Sequence, residues 1–236
     1  MSFLKKEKTK RVINSMGLVL FYLLVMSVLS TILTMMMVRT KEDLANIASN
    51  IKLIALSVIL VSPLSTFIVY KVYKKTKDDK EEKVLIFNNK ISKKNILQVL
   101  GCVLLPFVVS IIASQALKGQ KVENETTNLI LSMSMWLKIL SAVIVAPIAE
   151  EIMFRGILFD VFNKDQSTKL YPIVSGILFG IMHVQLGSLA EILVPIVITG
   201  AAGLFWAMLY QKEKNLYLTI AAHMLYNGIV IILGSI

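Results

Sequence analysis

Long apolar runs alternate with short charged stretches along the chain. The runs are about 20 residues long, the length a helix needs to cross a hydrocarbon core of about 30 Å. Spans are expected at about Val12–Val38, Leu53–Val72, Ile96–Leu117, Leu129–Asn163, Tyr171–Leu186, Leu189–Tyr210 and Leu216–Leu233. In lipid every backbone N–H and C=O must be paired within the protein, so only helices and closed barrels cross it. Runs this long and uniformly apolar are not barrel strands. The expected fold is an all-α, polytopic transmembrane helical bundle of about seven spans. The fourth run is the irregular one, because its 35 residues would extend about 52 Å as a straight helix. Pro147 is expected to kink it, or to split it and raise the count to eight.

Composition agrees with a membrane chain. It is 56% hydrophobic and 17% charged, against about 45–50% and about 25% in soluble domains. The net charge of +10 could suit nucleic acid, but the lysines flank apolar spans. That placement sets orientation and favours anionic lipid, so no nucleic-acid partner is expected. With the N-terminus cytoplasmic, nineteen of the 25 lysines and arginines fall inside and five outside. The N-terminus is therefore expected in the cytoplasm and the C-terminus outside. The first run is too long for a signal-peptide core and reads as an uncleaved span. Cys102 is the only cysteine, which rules out an internal disulfide and a thiolate metal cluster.

Three polar groups lie inside the fourth, fifth and seventh spans: Glu150, Glu151 and Arg155; Phe179 with His183; and His223 with Asn227. His183 and His223 are the only histidines. Each charge at mid-bilayer costs roughly 2.5–3.5 kcal/mol on insertion scales. Counted along each helix from its lysine-rich end, Glu150 lies about 20 Å from Lys164 and His183 about 18 Å from Tyr171. His223 and Asn227 lie about 14 and 20 Å from Lys214. Similar depths on separate spans point to one shared site. Glu151 and Arg155 are i and i+4 and can pair. Glu150, rotated about 100° away, is left to face the histidines. A carboxylate in a dry site can act as a general base on water, and histidine and asparagine can donate to an oxyanion. Glu150, His183 and His223 could equally ligate zinc, although there is no His-Glu-x-x-His motif.

At these residues the chain resembles the CAAX protease and bacteriocin-processing family, called CPBP or Abi. The family pattern is Glu-Glu-x-x-x-Arg, Phe-x-x-x-His and His-x-x-x-Asn or Asp. It is carried here by Glu150, Glu151, Arg155, Phe179, His183, His223 and Asn227. The resemblance implies an intramembrane endopeptidase acting on a membrane-associated peptide or protein, in CAAX-type processing, bacteriocin or signal-peptide maturation, or self-immunity. It implies Glu150 as base, His183 as water-placing group, and His223 and Asn227 as oxyanion donors. Glu151, Arg155 and Phe179 are supporting. No cofactor is favoured. If a divalent metal such as zinc is used, Glu150, His183 and His223 are its expected ligands. A single membrane domain, 1–236, is expected, with 129–236 as catalytic core and 1–128 as three spans without a signature. Small size and lysine richness suggest a bacterial cell membrane.

Other readings compete. A non-catalytic scaffold or immunity protein would keep the fold and bind a membrane partner. A proton-coupled transporter would also use intramembrane Glu and His, but the inverted repeat or matched broken helices it predicts are not seen. Among lesser features, Phe179 reads as packing and Tyr226 ranks below Asn227. Lys138 is expected to snorkel outward beside Trp136. Trp206, Tyr210 and Tyr217 fit an inner aromatic belt. Glu191 reads as a solvated interfacial carboxylate. The patch Val84-Leu85-Ile86-Phe87 is expected at the membrane interface. The Asn124-Glu125-Thr126 sequon is given no role.

Overall fold

The computed structural model describes residues 2–46, 50–76, 84–116, 125–162, 170–184 and 188–234. These form an all-α bundle, with no strand among the described residues. The helices are α1 Ser2–Met37, α2 Lys41–Ala45, α3 Ile51–Thr76, α4 Lys93–Ala116 and α5 Glu125–Ser132. They continue with α6 (residues 135–162), α7 Leu170–Met182, α8 Leu189–Glu213 and α9 Leu216–Gly234. By length and composition, α1, α3, α4, α8 and α9 can cross a membrane; α7 is apolar but shorter. The outward faces stay apolar, with Leu24, Leu97, Leu104 and Ile112 exposed. Such faces suit lipid, and the chain is an integral membrane protein. Lys164, Lys169 and Asn124 lie outside the described residues, as does the Glu191 side chain.

Helix α6 sits among the others, touching α1, α3, α8 and α9. Its path differs from expectation. The fourth run does break, but at Met133–Ser134, between α5 and α6, and the helix continues through Pro147. Two stretches of wider π-helix, Ile139–Val145 and Ile152–Ile157, flank the α-helical turn Ala146–Glu151. Within the first, Ala146 N–H bonds to Ser141 O, five residues back. The widened turn absorbs the proline that an α-helical register could not. Helix α3 is also π-helical over Ser57–Val61, against this stretch of α6.

Helices α7 and α8 make the closest contact, through Gly176, Gly180 and Gly200. A Cβ on Gly180 would stand 2.6 Å from the carbonyl oxygen of Ile196, and one on Gly203 would stand 2.8 Å from Phe179 Cβ. Small residues let helix backbones approach where lipid supplies no hydrophobic drive for association. This contact fixes His183 at the end of α7 against α8.

Residues 84–88 are tied to the bundle. Val84 is buried, and Ile86 O accepts the N–H of Leu216 at 2.9 Å. Asn215 Nδ2 donates to Asn88 O at 2.8 Å, and its Oδ1 accepts from Asn88 N at 3.1 Å. This segment thus supplies an acceptor to the first turn of α9, whose N–H groups have no partner within the helix. Lys214 turns the chain from α8 to α9 in the left-handed region at φ 48°. Its ammonium lies 3.6 Å from the Phe159 ring centre, and burial pushes its pKa down.

Three further expectations are corrected. Lys138 is 7% exposed and faces the interior, because α6 begins at Met135 and places that position inward while Trp136 stays outside. Trp206 and Tyr210 are core residues, 1% and 0% exposed, and Tyr217 alone of that trio is exposed. Their helix is gripped on two sides, by α4 and α7, which turns that stretch of α8 away from lipid.

Gly180→Ala is expected to lower stability by about 1–3 kcal/mol, the usual range for overpacking, because the methyl meets backbone that cannot step aside. Thermal unfolding in detergent, compared with Gly101→Ala, whose Cβ would have open space, checks this.

Candidate active site

The site is assembled from α6, α7 and α9. Glu150 and Glu151 sit at the end of the α-helical turn of α6, between its two π stretches. Glu151 is fully buried, and its Oε1 accepts from Arg155 Nη1 at 3.0 Å. Arg155 Nη2 donates to Gly203 O at 2.8 Å. The guanidinium also lies 4.9 Å from the Phe179 ring centre and 5.5 Å from that of Trp206. A buried arginine is thus neutralised by one carboxylate, hydrogen-bonded to α8 and flanked by aromatic faces.

Glu151 does more than pair with arginine. Its Oε1 also stands 3.0 Å from His223 Nδ1. With Arg155 beside it Glu151 is the anion, so Nδ1 carries the proton and the free Nε2 points elsewhere. His183 is set the same way. Its Nδ1 lies 2.8 Å from Phe179 O, a carbonyl that can only accept, so that nitrogen is the donor. Both Nε2 atoms face Glu150, each 3.9 Å from its Oε2. Glu150 Oε2 is buried and takes no hydrogen bond from the protein. Three lone-pair atoms therefore converge on one point, and the guest that suits them is one that brings protons, such as water.

These donors match zinc in kind but not in spacing. Two ligands about 2.0–2.1 Å from a tetrahedral centre are about 3.3–3.4 Å apart, shorter than the 3.9 Å separations here. Among the described residues no group of three or more His, Cys, Asp or Glu side chains is set to hold a metal ion. As arranged, the residues do not fit one.

Asn227 is one helical turn from His223 and lines the same cavity. Its Nδ2 donates to Ala142 O at 2.8 Å. The cause is Pro147. The next bond in the i-to-i−5 series after Ala146 would run from residue 147 to Ala142, but proline has no N–H. Asn227 fills that place and keeps its second N–H. Phe179 is 2% exposed and packs edge-on against Phe154 and Trp206.

Trp206 is a site residue that sequence reasoning placed elsewhere. Its ring stacks on His223 at 4.1 Å between centres, and its Nε1 donates to Cys102 O at 3.2 Å. A tryptophan near a span end looks like an interfacial anchor, and nothing local marks it as a histidine's partner. Behind Glu150, Thr66 Oγ1 donates to Ala149 O at 3.4 Å, so α3 also buttresses the turn.

Comparison with known proteins then falls on this stretch. Residues 132–229 match the family model described as Type II CAAX prenyl endopeptidase Rce1-like. They contain Glu150, Glu151, Arg155, Phe179, His183, His223 and Asn227. The chain is 31% identical over 115 residues to the "Putative membrane peptidase YdiL" of Bacillus subtilis strain 168, covering 49% of this chain and 44% of that protein. It is 29% identical over 132 residues to the "Membrane-embedded CAAX protease MroQ" of Staphylococcus aureus strain USA300, covering 53% of this chain and 51% of that protein. The chain thus spans about half the length of the curated relatives it matches. No solved structure matches it. The matched stretch begins at the break before α6 and ends within α9.

Arg155→Ala is expected to cost about 3–5 kcal/mol, because it leaves the Glu151 charge buried and unpaired. Asn227→Ala should cost about 1–3 kcal/mol for the orphaned carbonyl. Part of the second loss should return when Pro147→Ala is added, since residue 147 then has an N–H to offer Ala142. Urea or thermal melts of the single and double variants check the coupling, and strict additivity would contradict it.

Proposed function

We propose that this chain is an intramembrane endopeptidase that hydrolyses a peptide bond in a membrane-associated peptide or protein, with Glu150 as base. The carrying observation is the convergence of Glu150 Oε2 with the Nε2 atoms of His183 and His223, 3.9 Å from each. The Rce1-like match over the same residues and the peptidase names of both relatives support it.

In this reading water donates one hydrogen bond to Glu150 and one to His183 Nε2. Glu150 takes the first proton as the water oxygen attacks the scissile carbonyl carbon. The second N–H of Asn227 is a donor for the resulting oxyanion. His223 can donate from Nε2 only when doubly protonated, and Glu151 behind Nδ1 supplies the counter-charge for that form. The C–N bond then breaks, and Glu150 returns its proton to the leaving amine. No step requires a metal.

Glu150→Gln keeps the shape and removes the base, and positioned bases contribute about 10²–10⁴-fold. The variant should melt like the wild type and lose cleavage of a membrane-anchored reporter peptide by at least about a hundredfold. Full activity of Glu150→Gln would falsify the assignment. Cleavage should also survive exhaustive chelation in protein that elemental analysis finds free of stoichiometric zinc.

A further inference from the structure

We propose that the Glu150 cavity is entered from the lysine-poor end of the bundle, beneath α5, and that this entrance lies on the outer side of the membrane and admits an apolar peptide segment. What enters rests on the peptidase reading above; where it enters does not.

The cavity has a volume of about 380 Å³. Most of its lining lies on one side of Glu150, with Phe179, Ala202 and Trp206 forming the inner end. On α6 the lining residues are Ser141, Ala142 and Ala146, all before Glu150. On α7 they lie towards its far end, at Met182 and beyond at Val184; on α8 they begin near its start, at Pro195 and Thr199. On α9 they extend past Asn227 to Val230 and Ile231. The other direction is closed. Met153, Ile157 and Leu158 are 0% exposed and Phe154 is 1%, and the Arg155 pair fills the space between them.

The closed end carries the positive charge. Lys10 and Arg11 in α1, Lys74 and Lys75 in α3, Lys93 and Lys94 in α4, and Lys212 in α8 all lie at the ends of their helices farthest from the opening. Lysine and arginine are retained on the cytoplasmic side. The closed end therefore faces the cytoplasm, and the mouth faces out.

Helix α5 roofs this mouth. Ile130 and Leu131, with Met133 just after the helix, line the cavity, and Leu131 packs against Gly234 at the end of α9. The chain is non-helical at Met133–Ser134, which separates this roof from α6. Glu150 is the only Asp, Glu, Lys or Arg among the lining residues. Beyond Glu150, which the proposed chemistry occupies, a charged side chain beside the scissile bond would find no ionic partner among the lining residues, and burying it unpaired is costly. An apolar one would meet Val58, Val184 or Val230.

The test uses single cysteines in a Cys102→Ser chain, labelled with a membrane-impermeant maleimide. Val230→Cys and Ile130→Cys report the mouth, and Lys212→Cys reports the opposite end. In intact cells both mouth positions should label while Lys212→Cys should not; in inside-out vesicles the pattern should reverse. Labelling of mouth and Lys212 positions from the same face, of the mouth from inside only, or of the mouth from neither face overturns the entrance. Because labelling needs no turnover, it stands apart from any failure of the peptidase reading. With active protein, replacing apolar residues beside the scissile bond by lysine or aspartate should slow cleavage at least tenfold. Equal rates would overturn the apolar preference.

Discussion

The buried pair of Arg155 and Glu151 is the interaction around which the interior is arranged. Neither side chain touches solvent. An isolated charge in such a place costs far more than the bundle could offset, so the two must stay together. The arginine's Nη2 donates to Gly203 O, which ties α6 to α8. The glutamate's second partner is His223, which ties α6 to α9. A side chain at 203 would collide with Phe179, and Phe179 is one wall of the guanidinium's aromatic surround. The glycine, the aromatics and the orientation of His223 follow from one neutralised charge.

That arrangement makes scaffold and candidate chemistry hard to separate. The tautomers of both histidines are set by groups on the far side of each ring, Phe179 O for His183 and Glu151 for His223. Asn227 divides its two N–H groups between a helix carbonyl and the cavity. A residue that resembles a pure hydrogen-bond donor to substrate is also the plug for a gap left by Pro147.

Much of this was legible in the sequence, for identifiable reasons. Apolar runs mark helices because lipid forbids unpaired backbone, and the i, i+4 spacing of Glu151 and Arg155 marks a pair because helical geometry is local. What stayed hidden depends on neighbours. The contact of Glu151 with His223 joins residues 72 apart, and no periodicity encodes it. Pro147 looks like a break under α-helical rules, yet the π stretch before it lets the helix run on. Trp206 and Lys138 look interfacial by type, and only the packing of α8 and the start of α6 turn them inward. Val84 to Asn88 have no helical signal, because their structure comes from Leu216 and Asn215 on the far side of the chain.

The sealed floor beneath Glu150 has a consequence for traffic. Met153, Ile157 and Leu158 close the chamber on that side. On the proposed reading, whatever is made inside would leave by the way its precursor arrived, and the next water would follow the same path. In such a dead-end chamber fragments would obstruct the incoming chain, and throughput would then be governed by how quickly the doorway clears as well as by how quickly a bond breaks.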